Sequence, residues 1–198
     1  RIEVMGEANH AGTTLPEDRR DALIPVAAAT LEARRVMQGT EGLVATVGEA
    51  VVVDGATNIV PGHARATLDV RSLDENLIDE ANRRIIGAAR EAAERDGSEL
   101  RLQETKRLHP APMAPEVLDA MRAAAQDLNA EVPEMPSMAG HDAMTLTKAG
   151  VACGMVFVRS EKGISHSPQE RSSHEDCALG ARLLANAALH LAAGRFRS

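Results

Sequence analysis

Aromatic side chains are almost missing from this sequence. Of its 198 residues only Phe157 and Phe196 are aromatic, with no Trp and no Tyr. A core must therefore rest on Leu, Val, Ile, Ala and Met, and the stacking faces that hold unpaired bases are not available. Positive charge is also short: 22 Lys and Arg stand against 29 Asp and Glu, a net charge of −7. A nucleic-acid binder carries a basic field or patch, and the pairs Arg19-Arg20, Arg34-Arg35 and Arg83-Arg84 are expected on solvated helix faces instead. No apolar run reaches membrane-spanning length and no signal-peptide pattern stands out. The expectation is a cytoplasmic protein with neither a membrane nor a nucleic-acid partner. The two cysteines, Cys153 and Cys177, form no C-x-x-C motif and are expected to be buried free thiols. No phosphate-binding Gly-rich loop and no G-x-S-x-G nucleophile elbow is present.

What is present reads as two parts. Residues 2–5 form a strand pattern and residues 6–14 a polar loop. Pro16 and Glu17 open a helix expected to run to about Met37, with Leu23, Ala27 and Leu31 at helical spacing. Residues 43–53 read as a strand broken near Gly48, Asp54-Gly55 as a turn, and residues 64–70 as a strand ending at Arg71. A second helix runs from Asp74 to about Ala93 on a stripe of Ile78, Ala81, Ile85, Ala88 and Ala92. Leu100 and Leu102 mark a last strand. This βαββαβ order predicts an α+β, ferredoxin-like unit over residues 1–108, with four antiparallel strands and two helices on one face.

The stiff His109-Pro110-Ala111-Pro112 stretch marks the boundary. In residues 109–198 a helix is expected from about Pro115 to Leu128, with Leu118, Met121, Ala125 and Leu128 inward. A short helix is expected from His141 to Lys148, and residues 151–158 suit a buried strand. Residues 163–169 read as a loop. Ser172 and Glu175 match a capping box, followed by a helix to about Ala193 whose inward face is Ala181, Leu184, Ala188 and Leu191. One buried strand cannot make a doubly covered sheet. The second part is therefore expected to be an incomplete α/β unit, and the chain a fragment; a strand pattern that starts at once on Arg1 agrees.

Candidate chemistry centres on histidine. His166 sits in Gly163-Ile164-Ser165-His166-Ser167-Pro168, where small residues leave room for a ligand and a neutral imidazole can bind a metal; a satisfied polar turn is the other reading. His141-Asp142 either orients a ligand or caps the short helix, with Asp142 meeting free backbone N–H groups. His10 is either a donor to a developing oxyanion or a surface loop histidine. Asn58 precedes the Pro61-Gly62 turn and suits an Asx bond that holds it. The Arg71 fork suits a carboxylate, whether of a substrate or of Asp69 or Asp74. Cys153, in an apolar run, is a poor nucleophile.

Three segments together resemble one family. They are residues 6–14 with 19–23 (GEANHAGTT, RRDAL), residues 58–62 with 68–71 (NIVPG, LDVR), and residues 135–143 with 154–157 and 163–170 (MPSMAGHDA, GMVF, GISHSPQE). In order and spacing they are similar to the binuclear-metal amidohydrolases that include N-carbamoyl-L-amino-acid hydrolase and allantoate amidohydrolase. The resemblance implies a lid, or dimerisation, domain followed by the end of the catalytic domain. It implies that His10 steadies the oxyanion, that Asn58, Arg71, Gly163 and Ser165 contact substrate, that His141 and Asp142 support the pocket wall, and that His166 ligates metal. Two divalent ions (Zn, Mn, Co or Ni) in the intact enzyme would activate water against the C–N bond of a ureido or acylamino acid. The other ligands have no counterpart here, so this chain alone is expected to bind no metal stably and to be inactive. A homodimer through the lid is implied as well. Thr14-Leu15-Pro16-Glu17 departs from the family's Thr-Thr-Pro-Met, and Met138 stands where a small residue is usual.

Overall fold

A computed structural model describes residues 1–195. The chain is α+β and divides into two compact units, Arg1–Pro110 and Ala111–Ser198.

The first unit is built on strands whose alternate residues are apolar. Strand β1 is Ile2–Met5, and Ile2 and Val4 are buried while Glu3 and Met5 face the other way. The residues 6–14 loop is not irregular throughout: Asn9–His10 forms a two-residue strand, β2. Helix α1 spans Leu23–Gly39, β3 Val44–Val52, β4 Ile59–Val60, β5 His63–Arg71, α2 Glu75–Asp96 and β6 Glu99–Leu102. The four longer strands form one antiparallel sheet in the order β3-β5-β1-β6, and β2 pairs with β4 in a separate ribbon. The β3–β5 register shifts between Val47 and Glu49, at the glycine that broke the strand pattern. Helices α1 and α2 pack on each other and against the sheet. The core between them is Ile2, Val4, Val26, Val36 and Ile85 set among alanines. On β5 the even-numbered residues Ala64, Ala66, Leu68 and Val70 join that core. The strand's two-residue period therefore sends His63, Arg65, Thr67, Asp69 and Arg71 to the opposite face.

The expected helix from Pro16 does not run through. Pro16–Asp18 is a single 3-10 turn, Arg19 is extended (φ −78°, ψ 134°), and α1 starts at Leu23. The interruption has a cause in packing. The Arg20 carbonyl accepts from Glu7 N–H at 2.9 Å, and a Cβ at Gly6 would lie 2.0 Å from that carbonyl oxygen. Arg19 and Arg20 are thus bound into a crossing of two chain segments rather than placed on a helix face. On α2 the stripe runs through Ala89 rather than Ala88, and Leu102 is exposed.

The second unit contains α3 (Pro115–Asp127), α4 (Asp142–Lys148) and α5 (His174–Ala192). The expected buried strand at residues 151–158 is not formed. Strands need neighbours to take up their N–H and C=O groups, and no strand is found among the described residues of this unit. The segment has no regular secondary structure, and Ala114 N–H donates to the Cys153 carbonyl at 2.8 Å. A Cβ at Gly154 would come within 2.6 Å of Val117, and Val156 joins the α3–α5 cluster. The expected α3 residues Met121, Ala125 and Leu128 and the expected α5 residue Leu191 pack against the α3–α5 cluster, but the most buried residues of each helix are shifted from the expected stripes. Val117, Ala120 and Ala124 of α3 and Leu183, Ala187 and His190 of α5 are buried, while Ala181, Leu184 and Ala188 are exposed. The α5 cap is Ser173, whose hydroxyl accepts from Asp176 N–H at 3.0 Å, one residue beyond the expected pair Ser172 and Glu175. Both cysteines are free, but Cys177 is exposed and Cys153 only half-buried. Among the described residues no helix is long and apolar enough to cross a membrane.

Candidate functional site

Two of the sequence-derived site residues meet in the first unit. In the β2–β4 ribbon His10 pairs with Ile59, and Ala11 N–H donates to the Asn58 carbonyl at 2.8 Å. His10 and Asn58, with Ala8, Asn9 and Ile59, line a shallow depression. Glycines allow the ribbon to lie so close to the sheet. Gly6 N–H donates to Gly62 carbonyl at 2.8 Å, and a Cβ at Gly62 would meet the Ala8 nitrogen at 2.6 Å. The His10 carbonyl accepts from Thr14 N–H at 3.0 Å and from the Thr14 hydroxyl at 2.7 Å, which closes a tight turn behind the ring. Gly12 N–H donates to His10 Nδ1 at 3.0 Å.

Arg71 does not join this pair. It lies at the far end of β5 from His63, eight strand steps or about 26 Å away. Its guanidinium is paired with Asp69 through Nε (2.8 Å) and Nη2 (2.7 Å). Hydrogen bonding to Arg71 holds the Asp69 carboxyl below its ordinary value, and the same pair raises Arg71.

The second unit carries the other candidates. His141, not Asp142, caps α4: its Nδ1 accepts from Ala143 N–H at 3.1 Å, leaving Nε2 as the ring nitrogen outside the cap. Asp142 is exposed in the first turn. The loop of Gly163, Ser165 and His166 is closed at its base by Glu161 N–H to the Arg171 carbonyl, 2.7 Å. Lys162, Gly163 and His166 all have positive φ, at 57°, 68° and 56°. The His166 N–H donates to the Glu170 carboxylate at 3.0 Å, and its side chain is exposed with that of Ser165. Among the described residues no group of three or more His, Cys, Asp or Glu is arranged to hold a metal ion. The donors among the described residues do not by themselves fit a metal site.

Sequence reading missed two features. Arg19, expected on a helix face, instead donates to the Ala11 and Thr14 carbonyls across the His10 turn. His190 is buried and bonds Asp127 between α3 and α5 at 2.7 Å. Neither had a local signal, since Arg19 bonds to backbone and the His190 partner is 63 residues away.

Comparison with known proteins decides the family. The model of peptidase family M20/M25/M40 matches residues 12–190. The chain belongs to this family. It is 38% identical over 185 residues to N-carbamoyl-L-amino-acid amidohydrolase of Paenarthrobacter aurescens, covering 93% of this chain and 45% of that protein. It is 33% identical over 196 residues to ureidoglycolate hydrolase of Oryza sativa subsp. japonica, covering 96% and 40%. Among solved structures, a hydantoinase/carbamoylase family amidase from Burkholderia vietnamiensis superposes with a TM-score of 0.86 at 29% identity, covering 95% of this chain and 46% of that one. This M20-family chain thus spans less than half the length of these relatives.

Proposed function

We propose that this chain is the ferredoxin-like lid and the C-terminal part of the catalytic domain of a metal-dependent C–N hydrolase. Its substrates are ureido acids such as N-carbamoyl-L-amino acids or allantoate, cleaved by metal-activated water. The match of the family model across residues 12–190, through both units, carries this reading. The first unit's order of strands and helices agrees with a split βαβ lid. His10 donates to the oxyanion, and Asn58 beside it contacts the scissile group. Arg71 takes the substrate carboxylate, Gly163 and Ser165 line the substrate region, His141 and Asp142 support its wall, and His166 is one metal ligand. The remaining ligands of the two divalent ions lie outside this sequence.

The two ends of β5 support a homodimer. His10 and Asn58 stand at the β2–β4 ribbon and Arg71 at the end of β5 that lies about 26 Å along the strand from His63, so a single lid leaves Arg71 apart from the His10–Asn58 pair. A second copy supplies what the first cannot reach. The test compares the 198-residue chain with a longer protein carrying it, following ammonia release from N-carbamoyl-L-amino acids and allantoate. Turnover by the longer protein and none by the chain is expected. Robust turnover by the pure chain would overturn the reading. An aminoacylase or exopeptidase is the second reading, favoured by the peptidase family to which the chain belongs; preference of the longer protein for acylamino acids or dipeptides over ureido acids would select it.

A further inference from the structure

We infer that Arg19 is a positioning residue for His10, clamping the turn that fixes the imidazole in its Nε2–H tautomer. This rests on the proposed role of His10 and deepens it. The half-buried Arg19 guanidinium reaches back across the turn, with Nη2 donating to the Ala11 carbonyl at 2.5 Å and Nε to the Thr14 carbonyl at 3.3 Å. These carbonyls lie on either side of Gly12, so one rigid fork ties both arms of the turn. Inside it, Gly12 N–H donates to His10 Nδ1 at 3.0 Å. With Nδ1 accepting, a neutral ring carries its proton on Nε2, the nitrogen left to meet a developing oxyanion. The fit is close: a Cβ at Gly12 would approach ring Cε1 to 3.2 Å and Nδ1 to 3.4 Å. A small change in the turn therefore moves the Gly12 N–H off Nδ1 and releases the ring. The position of Arg19 serves this contact, because the extended backbone between the 3-10 turn and α1 turns its side chain back to the ribbon instead of along a helix.

The test pairs kinetics of the longer protein with nitrogen-15 NMR of the His10 ring in this chain. Arg19→Gln should lower kcat by about tenfold to a hundredfold through misplacement of the donor. KM should change by less than about twofold, since ground-state binding is left in place. The His10 resonances should move from the Nε2–H pattern toward a mixture of tautomers. Arg19→Lys, which keeps the charge but loses the fork, should recover part of both, and it carries the test if Arg19→Gln does not fold. Wild-type kcat and an unchanged tautomer in a folded Arg19 variant, with His10→Ala inactive, would overturn the clamp. If His10→Ala keeps full kcat, the proposed role of His10 fails instead. The NMR comparison then still decides the clamp by itself.

Discussion

Asp69 and Arg71 stand two residues apart on β5, so the strand's alternation sets their side chains on one face, where they pair twice. The folded-state pKa of Asp69 is depressed, chiefly by its hydrogen bonds to Arg71. Whatever stability the pair contributes is present above the ordinary carboxyl value of 3.8 and is lost as the pH falls through the depressed one. The Asp69 side chain is 53% exposed, so solvent screening keeps that contribution below about 1 kcal/mol. Asp69→Asn should therefore lower the urea midpoint slightly at pH 7 and match the parent in strong acid. A gap that widens in acid would contradict this. Gly6 presents a larger constraint. Its missing Cβ would lie 2.0 Å from a backbone oxygen, so Gly6→Ala must move the Arg20 segment and should cost about 1–3 kcal/mol in a urea titration. The Asp69 pairing was legible as one option because it lies within two residues. The Arg19 bonds were not, because carbonyl positions in a turn leave no mark on residue type.

At the scale of elements, each α-helix was legible in the sequence and Met121, Ala125 and Leu128 of α3 do pack inward, but the hydrophobic period did not fix which face of α5 is buried. Alanine and leucine recur so often in α5 that two stripes one residue apart fit the helical period almost equally. The stripe that wins is the one holding Leu183, Ala187 and His190, whose imidazole reaches Asp127 of α3. Leu183 is 3% exposed and Leu184 56%. Leu183→Ala should thus cost about 2–5 kcal/mol, and Leu184→Ala should stay within about 0.5 kcal/mol. Chemical denaturation of the two variants separates the faces, and similar losses would mean that the packing described is wrong. The cap gives a parallel comparison. Ser173→Ala should cost about 1 kcal/mol of α5 stability, whereas Ser172→Ala should change little. The strand expected at residues 151–158 shows a different limit. Its apolar pattern was legible, but pairing depends on neighbours that sequence near it does not supply.

On the scale of the whole molecule, the two units differ in how much of a core each completes. The first has a four-stranded sheet with two helices packed on it, and Ile2, Val4, Val26, Val36 and Ile85 are almost fully buried. The buried cluster of the second is Ala120, Ala124, Leu183 and Ala187, in which only leucine removes much apolar surface from water. Its 151–158 segment meets α3 at Gly154 and packs Val156 against the α3–α5 cluster, while Val151 and Phe157 stay exposed at 48% and 52%. A unit with so little buried apolar area opens locally at low free energy. Proteolysis acts on that open population, and its rate follows the opening equilibrium when reclosing is fast. Limited digestion of the 198-residue chain should therefore remove the second unit first and leave a resistant product ending near Pro110, readable by intact mass. The isolated product should keep its circular dichroism and unfold cooperatively. Under the proposed lid role it should also sediment as a dimer at high concentration. Equal protease resistance in the two units would contradict the unequal cores. A resistant but strictly monomeric product would leave the cores as described and count against dimerisation through the lid.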